Sequence, residues 1–198
     1  EPSILNYGFY PAGGGKIRIE IRPSPQLQPF ELLDRGGKVQ PAVTALVSHL
    51  PEHIGQREVQ RIRNKAGWKA SVCDVRTITN SPGPGNCVMV RLQYPNVTEL
   101  FTGFGRRGVK AEQVAVTAWN QAKAYIAQEA PVGEYLADQL LLPMAIAASQ
   151  GQSSRFRTGE LSLHTRTHID IIRMFLDVRI EVTQVSPVQN EISVGPMQ

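Results

Sequence analysis

The chain has 198 residues, 41% hydrophobic and 19% charged. That composition excludes a disordered or fibrous chain and allows a core without disulfide staples. A net charge of +4 is compatible with a polyanionic partner but does not demand one, because the basic residues are scattered. Cys73 and Cys87 suggest a reducing compartment, so a cytoplasmic location is expected. The longest apolar run, Leu140 to Ala148, is broken by Pro143 and is too short to span a bilayer, so no membrane contact is expected. No signal peptide is visible. The first residue is Glu1 rather than Met, which reads as a chain cut from something longer.

Taken in order, Tyr7-Gly-Phe-Tyr-Pro-Ala-Gly-Gly-Gly15 is a turn rich in Gly and Pro. Strict alternation over Lys16-Ile-Arg-Ile-Glu-Ile-Arg22 predicts a half-buried strand, and Pro23, Pro25 and Pro29 then break regular structure. A strand is predicted over 38–48, a helix over 53–66, and strands over 69–78, 87–94 and 97–103. Asn80-Ser-Pro-Gly-Pro-Gly-Asn86 is a loop. A helix over 111–128 places Val114, Ala118, Ala122 and Tyr125 on one face. Residues 36–132 thus read as a compact β-α-β-β-β-α block, bracketed by the breaks Arg35-Gly-Gly37 and Ala130-Pro-Val-Gly133. Beyond it come a helix over 134–148, strands near 155–158 and 160–164, a helix over 168–176, a strand over 179–185, and a loose tail from Ser186.

His164 is the most informative residue. It is expected just before a helix whose Thr167 and Asp170 have capping-box spacing. Free N–H groups and the positive end of the helix dipole then lie beside the imidazole. That setting favours phosphate and disfavours an imidazolium, so the ring is expected to stay neutral and nucleophilic. On these residues alone, a polar loop histidine without a task is the commoner case.

The other constellations stay open on spacing alone. His49/His53 and His164/His168 have i,i+4 spacing, which suits a metal, but Pro51 interrupts the first pair. Neither pair carries the Glu of a His-Glu-x-x-His site. Gly103-Phe-Gly-Arg-Arg-Gly-Val-Lys110 either grips phosphates through its cations or is a solvated loop. Gly133-Glu-Tyr-Leu-Ala-Asp-Gln139 opens a helix and gathers Tyr135, Asp138 and Gln139 within one turn. The ring could stack on a base and the carboxylate could hold Mg²⁺ beside phosphates. On spacing alone the plainer reading is preferred, that Glu134 and Asp138 simply complement the helix N-terminus.

Together these segments resemble the RNA 3′-terminal phosphate cyclases. The resemblance rests on Tyr7 to Gly15, Ser81-Pro-Gly-Pro-Gly-Asn86, Gly105-Arg-Arg-Gly-Val-Lys-Ala-Glu112, Val132-Gly-Glu-Tyr-Leu-Ala-Asp-Gln-Leu-Leu-Leu-Pro-Met144 and Ser162-Leu-His-Thr-Arg-Thr-His-Ile169. They follow the family's order over nearly the whole chain. The resemblance implies an α/β (α+β) fold of repeated sheet-plus-two-helix units, shared with the enolpyruvyl transferases. It also implies an inserted small thioredoxin-like α/β domain. Residues 36–132 would be that insert, and 1–35 with 133–198 the C-terminal part of the core catalytic domain.

The implied activity is a ligase reaction of RNA processing, using ATP with Mg²⁺ or Mn²⁺. A histidine takes AMP from ATP and passes it to an RNA 3′-phosphate. The neighbouring 2′-OH then closes a 2′,3′-cyclic phosphate and expels AMP. By the resemblance His164 is the nucleophile, Tyr135 stacks on adenine, and Asp138 and Gln139 position nucleotide, metal or the RNA end, with Asp138 the candidate metal ligand. The family's N-terminal half is absent from these residues, so the chain is expected to hold the nucleophile and yet be inactive alone. His168 stands where the pattern requires no histidine. The alternative is a cyclase-like, non-catalytic RNA-binding protein of rRNA processing, whose relatives are expected to lack the nucleophile. An enolpyruvyl-transferase-type enzyme would share the fold without needing His164.

Overall fold

A computed structural model describes residues 2–197. They form two compact units. The first takes in the N-terminal stretch to Arg22, Val39–Gln93 and Leu100–Lys123; the second takes in Pro23–Lys38, Tyr94–Glu99 and the chain from Ala124 onward.

The first unit opens with a hairpin of β1 (Pro2–Asn6) and β2 (Lys16–Ile19), paired antiparallel with Ser3 opposite Arg18. The expected half-burial of this strand is corrected: all of β2 is exposed. Among the described residues its only ladder partner is β1, and Ile17 and Ile19 stay exposed. A short β3 (Glu31–Leu32) belongs to the second unit. The chain continues with β4 (Gln40–Ser48), α1 (His53–Ala66), a 3₁₀ turn at Ala70–Val72, β5 (Cys73–Ile78), β6 (Gly85–Gln93), β7 (Thr98–Phe104) and α2 (Ala111–Gln128), of which the first two residues of β7 and the last five of α2 belong to the second unit. Where a strand is expected over 69–78, the first residues make that turn instead. The sheet order is β5-β4-β6-β7, with β4 parallel to β5 and antiparallel to β6. Val43, Ala45 and Val47 alternate into the core beneath α1, whose Val59 and Ile62 are buried. Gly67 ends α1 in the left-handed conformation, the usual stop for a helix. The edge-on rings of Trp68 and Trp119, 5.5 Å apart, join the end of α1 to α2.

The second unit is one sheet with two helices on one face. Its strands run in the order β3, β8 (Ser154–Thr158), β10 (Gln189–Pro196), β9 (Val178–Ser186). The helices are α3 (Glu134–Ser149) and α4 (Leu163–Phe175). One cluster gathers Ala137, Leu141, Met144 and Ala148 of α3, Ile169 and Ile172 of α4, and Phe156, Ile180, Ile192 and Val194 of the sheet. Three expectations need correction. The tail is not loose: β10 pairs on both sides, with Ile192 opposite Phe156 on β8 and Val182 on β9. No strand forms at 160–164, and α4 begins at Leu163 rather than near 168. The physical reason is the cap. The Ser162 hydroxyl accepts the Thr165 N–H at 3.1 Å, starting the helix one turn earlier than the Thr167/Asp170 pattern suggests.

Arg35 closes the C-terminal end of α2. Its Nε donates to the Ala130 carbonyl (2.9 Å), Nη1 to Ile126 (3.3 Å) and Nη2 to Tyr125. Its guanidinium lies 3.9 Å from the Tyr125 ring centroid and 5.2 Å from that of Tyr94. A cation is favoured there by the helix dipole and by the ring faces. The Tyr125 hydroxyl donates to the Pro131 carbonyl at 2.8 Å. Among the described residues no helix is long and apolar enough to cross a membrane, and both cysteines are free.

Candidate functional site

The topology of the second unit sends both helix N-termini to one end of its sheet. Val132, just ahead of α3, bridges to Thr158 at the C-terminal end of β8, and α3 returns to the start of that strand. The helix α4 leaves from the same C-terminal end. It delivers the chain to β9, which lies antiparallel to β10, as β8 does, and so runs in the direction of β8. Both helices therefore point their positive ends past the carboxyl ends of the strands, where open α/β sheets place ligands.

The second residue of each helix is a candidate site residue. Tyr135 is 63% exposed, and His164 is exposed. The correction to the start of α4 moves His164 from the preceding loop into the first helical turn, still at the positive end. The Leu163 and His164 N–H groups have no hydrogen-bond partner among the described residues, nor do those of Glu134 and Tyr135. Unpaired amides at a helix N-terminus favour an anion beside them.

One turn further in, the helices touch. The His168 Nδ1 lies 2.9 Å from the Asp138 Oδ1. His164 is four residues before His168 and Tyr135 three before Asp138, so each outer residue shares a face with an inner one. Tyr135, Asp138 and Gln139 fall within a sector of about 100° on α3. Gln139 is exposed, with no side-chain hydrogen bond among the described residues. The cavity of about 700 Å³ bordering α4 lies on its other side, between Arg166, Asp170, Arg173 and β9. His164 and Tyr135 thus stand on open surface.

Two supporting residues carry no plain sequence signal. His168 becomes the Asp138 partner only through the crossing of two helices. Glu99, buried and remote in sequence, accepts the N–H of Gly133, the N-cap residue of α3, at 2.7 Å. Burial raises its pKa, opposed by that hydrogen bond and by Arg35. Ser162, the cap beneath His164, is a residue the sequence reading missed; its signal is a serine three residues before Thr165, whose N–H its hydroxyl accepts. Of the i,i+4 histidine pair on α4, the His168 ring is engaged with Asp138 through Nδ1. Among the described residues no group of three or more His, Cys, Asp or Glu gathers to hold a metal ion.

A sequence profile of the family described as RNA 3′-terminal phosphate cyclase matches residues 1–182. A protein of that name from Koribacter versatilis (strain Ellin345) is 45% identical over 182 residues, covering 92% of this chain and 50% of the relative. Similar proteins from Pseudomonas fluorescens and Ectopseudomonas mendocina are each 38% identical over 186 residues, covering 94% of this chain and 53% of theirs. The chain spans about half the length of the curated relatives it matches.

Proposed function

The chain belongs to the RNA 3′-terminal phosphate cyclase family, and on that premise we propose that its second unit carries the adenylyl-accepting half of an ATP-dependent cyclisation of RNA 3′-phosphates. The observation that supports this most is the pairing of His164 and Tyr135 at two helix N-termini on one end of a sheet.

A ring nitrogen of His164 attacks the α-phosphorus of ATP. An N–P bond forms, the P–O bond to pyrophosphate breaks, and the free amides of Leu163 and His164 favour the phosphate charge. The exposed Tyr135 ring offers a face to adenine. The RNA 3′-phosphate oxygen then displaces the histidine from the adenylate phosphorus. A phosphate monoester lacks a good leaving group; as the adenylate it has AMP. The adjacent 2′-OH attacks the 3′-phosphorus and AMP departs. That hydroxyl is already held close, an advantage on the order of 10⁵ M or more in effective concentration. Asp138, held by His168, fits Mg²⁺ or Mn²⁺ only as a single carboxylate beside phosphate oxygens, and such an ion would neutralise the triphosphate. Gln139 is assigned to positioning nucleotide or the RNA end.

The test is incubation with α-³²P-ATP. The chain is used alone and mixed with the half of the Koribacter versatilis relative that it does not cover. An acid-labile, base-stable protein label that disappears in His164→Ala supports the proposal. Label that survives His164→Ala, or no label in either arm on folded protein, refutes it. A non-catalytic rRNA-processing role is the reading that would replace it.

A further inference from the structure

The Gly105-Arg-Arg-Gly-Val-Lys110 segment is a motif that this chemistry leaves unused. Within the first unit it borders a cavity of about 600 Å³. The wall carries Arg57, Arg106, Arg107 and Lys110, with Asn86 and Tyr10, and meets the first residue of α2 at Ala111. Four cations thus share one hollow with the positive end of an 18-residue helix.

The hollow has a built floor. The Gly105 N–H donates to the Asn86 carbonyl at 2.9 Å, and a Cβ at residue 105 would collide with the Asn86 side chain. The Asn86 amide donates to Glu58 Oε1, and Glu58 is fully buried with its Oε2 unpartnered. The loop therefore lies tightly on a rigid polar base while its cations face outward. Arg57 is paired with Glu112 at 2.7 Å. The exposed Arg106 and Arg107 side chains have no ion pair or hydrogen bond among the described residues. Tyr10, 95% exposed, reaches the same wall because Phe9 beside it fills the space left open by Gly85. An exposed ring next to unpaired arginines on a fixed wall is the combination that tracks a single-stranded backbone and stacks its bases. An acidic peptide would answer the charge but not the ring.

We propose that this cavity binds single-stranded RNA along internal phosphates, with Arg106 and Arg107 on the backbone and Tyr10 stacked on a base. The choice of RNA rests on the cyclase reading above; the choice of a polynucleotide rests on the cavity. Binding of this kind reads no sequence and does not consult the 3′ end.

Fluorescence anisotropy with a labelled RNA of roughly ten nucleotides, without ATP, tests it on the whole chain. Replacing Arg106 and Arg107 together by Ala should weaken binding and lower the slope of log K against log salt by about 1.4, from two single-strand phosphates at about 0.7 each. Tyr10→Ala should cost roughly 5- to 100-fold in affinity and leave the slope alone. Arg179→Ala, an exposed cation of the second unit, should change neither. RNAs ending in 3′-OH and 3′-phosphate should bind equally. An unchanged slope in the double variant overturns the proposal, as does poly-glutamate competing as well as RNA of equal charge. Because ATP is absent, failure here and failure of the histidine-labelling test are separate results.

Discussion

Glu58 gives the sharpest prediction. Its carboxyl is fully buried under α1. Burial pushes its pKa from 4.5 up to about 7, against the opposing hydrogen bond from Asn86 and the nearby Arg57, and with a small push from Glu112. The unfolded chain releases this proton near 4.5, while the folded chain keeps it to about 7. Between those values the native state binds more protons, so stability falls as pH rises. It is fully present below 4.5 and gone above 7. At 1.36 kcal/mol per unit, the loss from pH 4.5 to 8 is about 3 kcal/mol. The exposed Glu112 works in another window: its pKa is lowered to about 2 by Arg57, so its contribution disappears only as pH falls below 4.5. Glu99 shifts in the same direction as Glu58 but is common to wild type and variant. Urea melts followed by tryptophan fluorescence report on the right unit, because both tryptophans, Trp68 and Trp119, lie in it. With a slope of about 2 kcal/mol per molar urea, the wild-type midpoint should drop by about 1.5 M from pH 4.5 to 8. Glu58→Gln should flatten that drop. A variant that keeps the wild-type pH dependence refutes the assignment of the buried proton to Glu58.

Three further outcomes are expected. Ser162→Ala removes the cap of α4 and should lower the stability of the second unit by about 1 kcal/mol in denaturant titration; it should also slow labelling at His164, whose turn it starts. Gly105→Ala drives a methyl into Asn86 and should destabilise the first unit by about 1–3 kcal/mol, seen in the tryptophan signal. Arg35→Met leaves three carbonyls without their charged donor and should cost about 2–4 kcal/mol. Exchange of the amide protons near Tyr125 and Ala130 should rise with it.

Much of the local structure was legible because hydrophobic period and breakers agreed. The α3 start follows Pro131 and Gly133, and the β4–α1 junction follows Pro51. The α4 start differs from the expectation because the Thr167/Asp170 spacing was taken as the cap, whereas the Ser162 hydroxyl caps the helix five residues earlier. The strand β10 was invisible because Gln189-Asn-Glu-Ile-Ser-Val-Gly-Pro196 is mostly polar. Its Ile192 and Val194 are buried only because strands pair on both sides, a tertiary effect that no local window carries. The helix start next to Tyr135 was readable from Pro131 and Gly133, whereas His164 lies inside α4 and not in the loop before it. That the two helices bearing them start at the same end of a sheet follows from strand direction. The His168–Asp138 contact follows from helix packing, which spacing along the chain does not encode.

The Arg35 guanidinium has an architectural consequence. The main chain passes between the units at Arg22/Pro23, Lys38/Val39, Gln93/Tyr94, Glu99/Leu100 and Lys123/Ala124. Arg35 and its ring partners Tyr94 and Tyr125 stand within three residues of three of those crossings. Arg35 thereby ties the chain near Lys38 to the chain near Tyr125 through one permanent charge, which fixes in the native state the closure of the long loop between them.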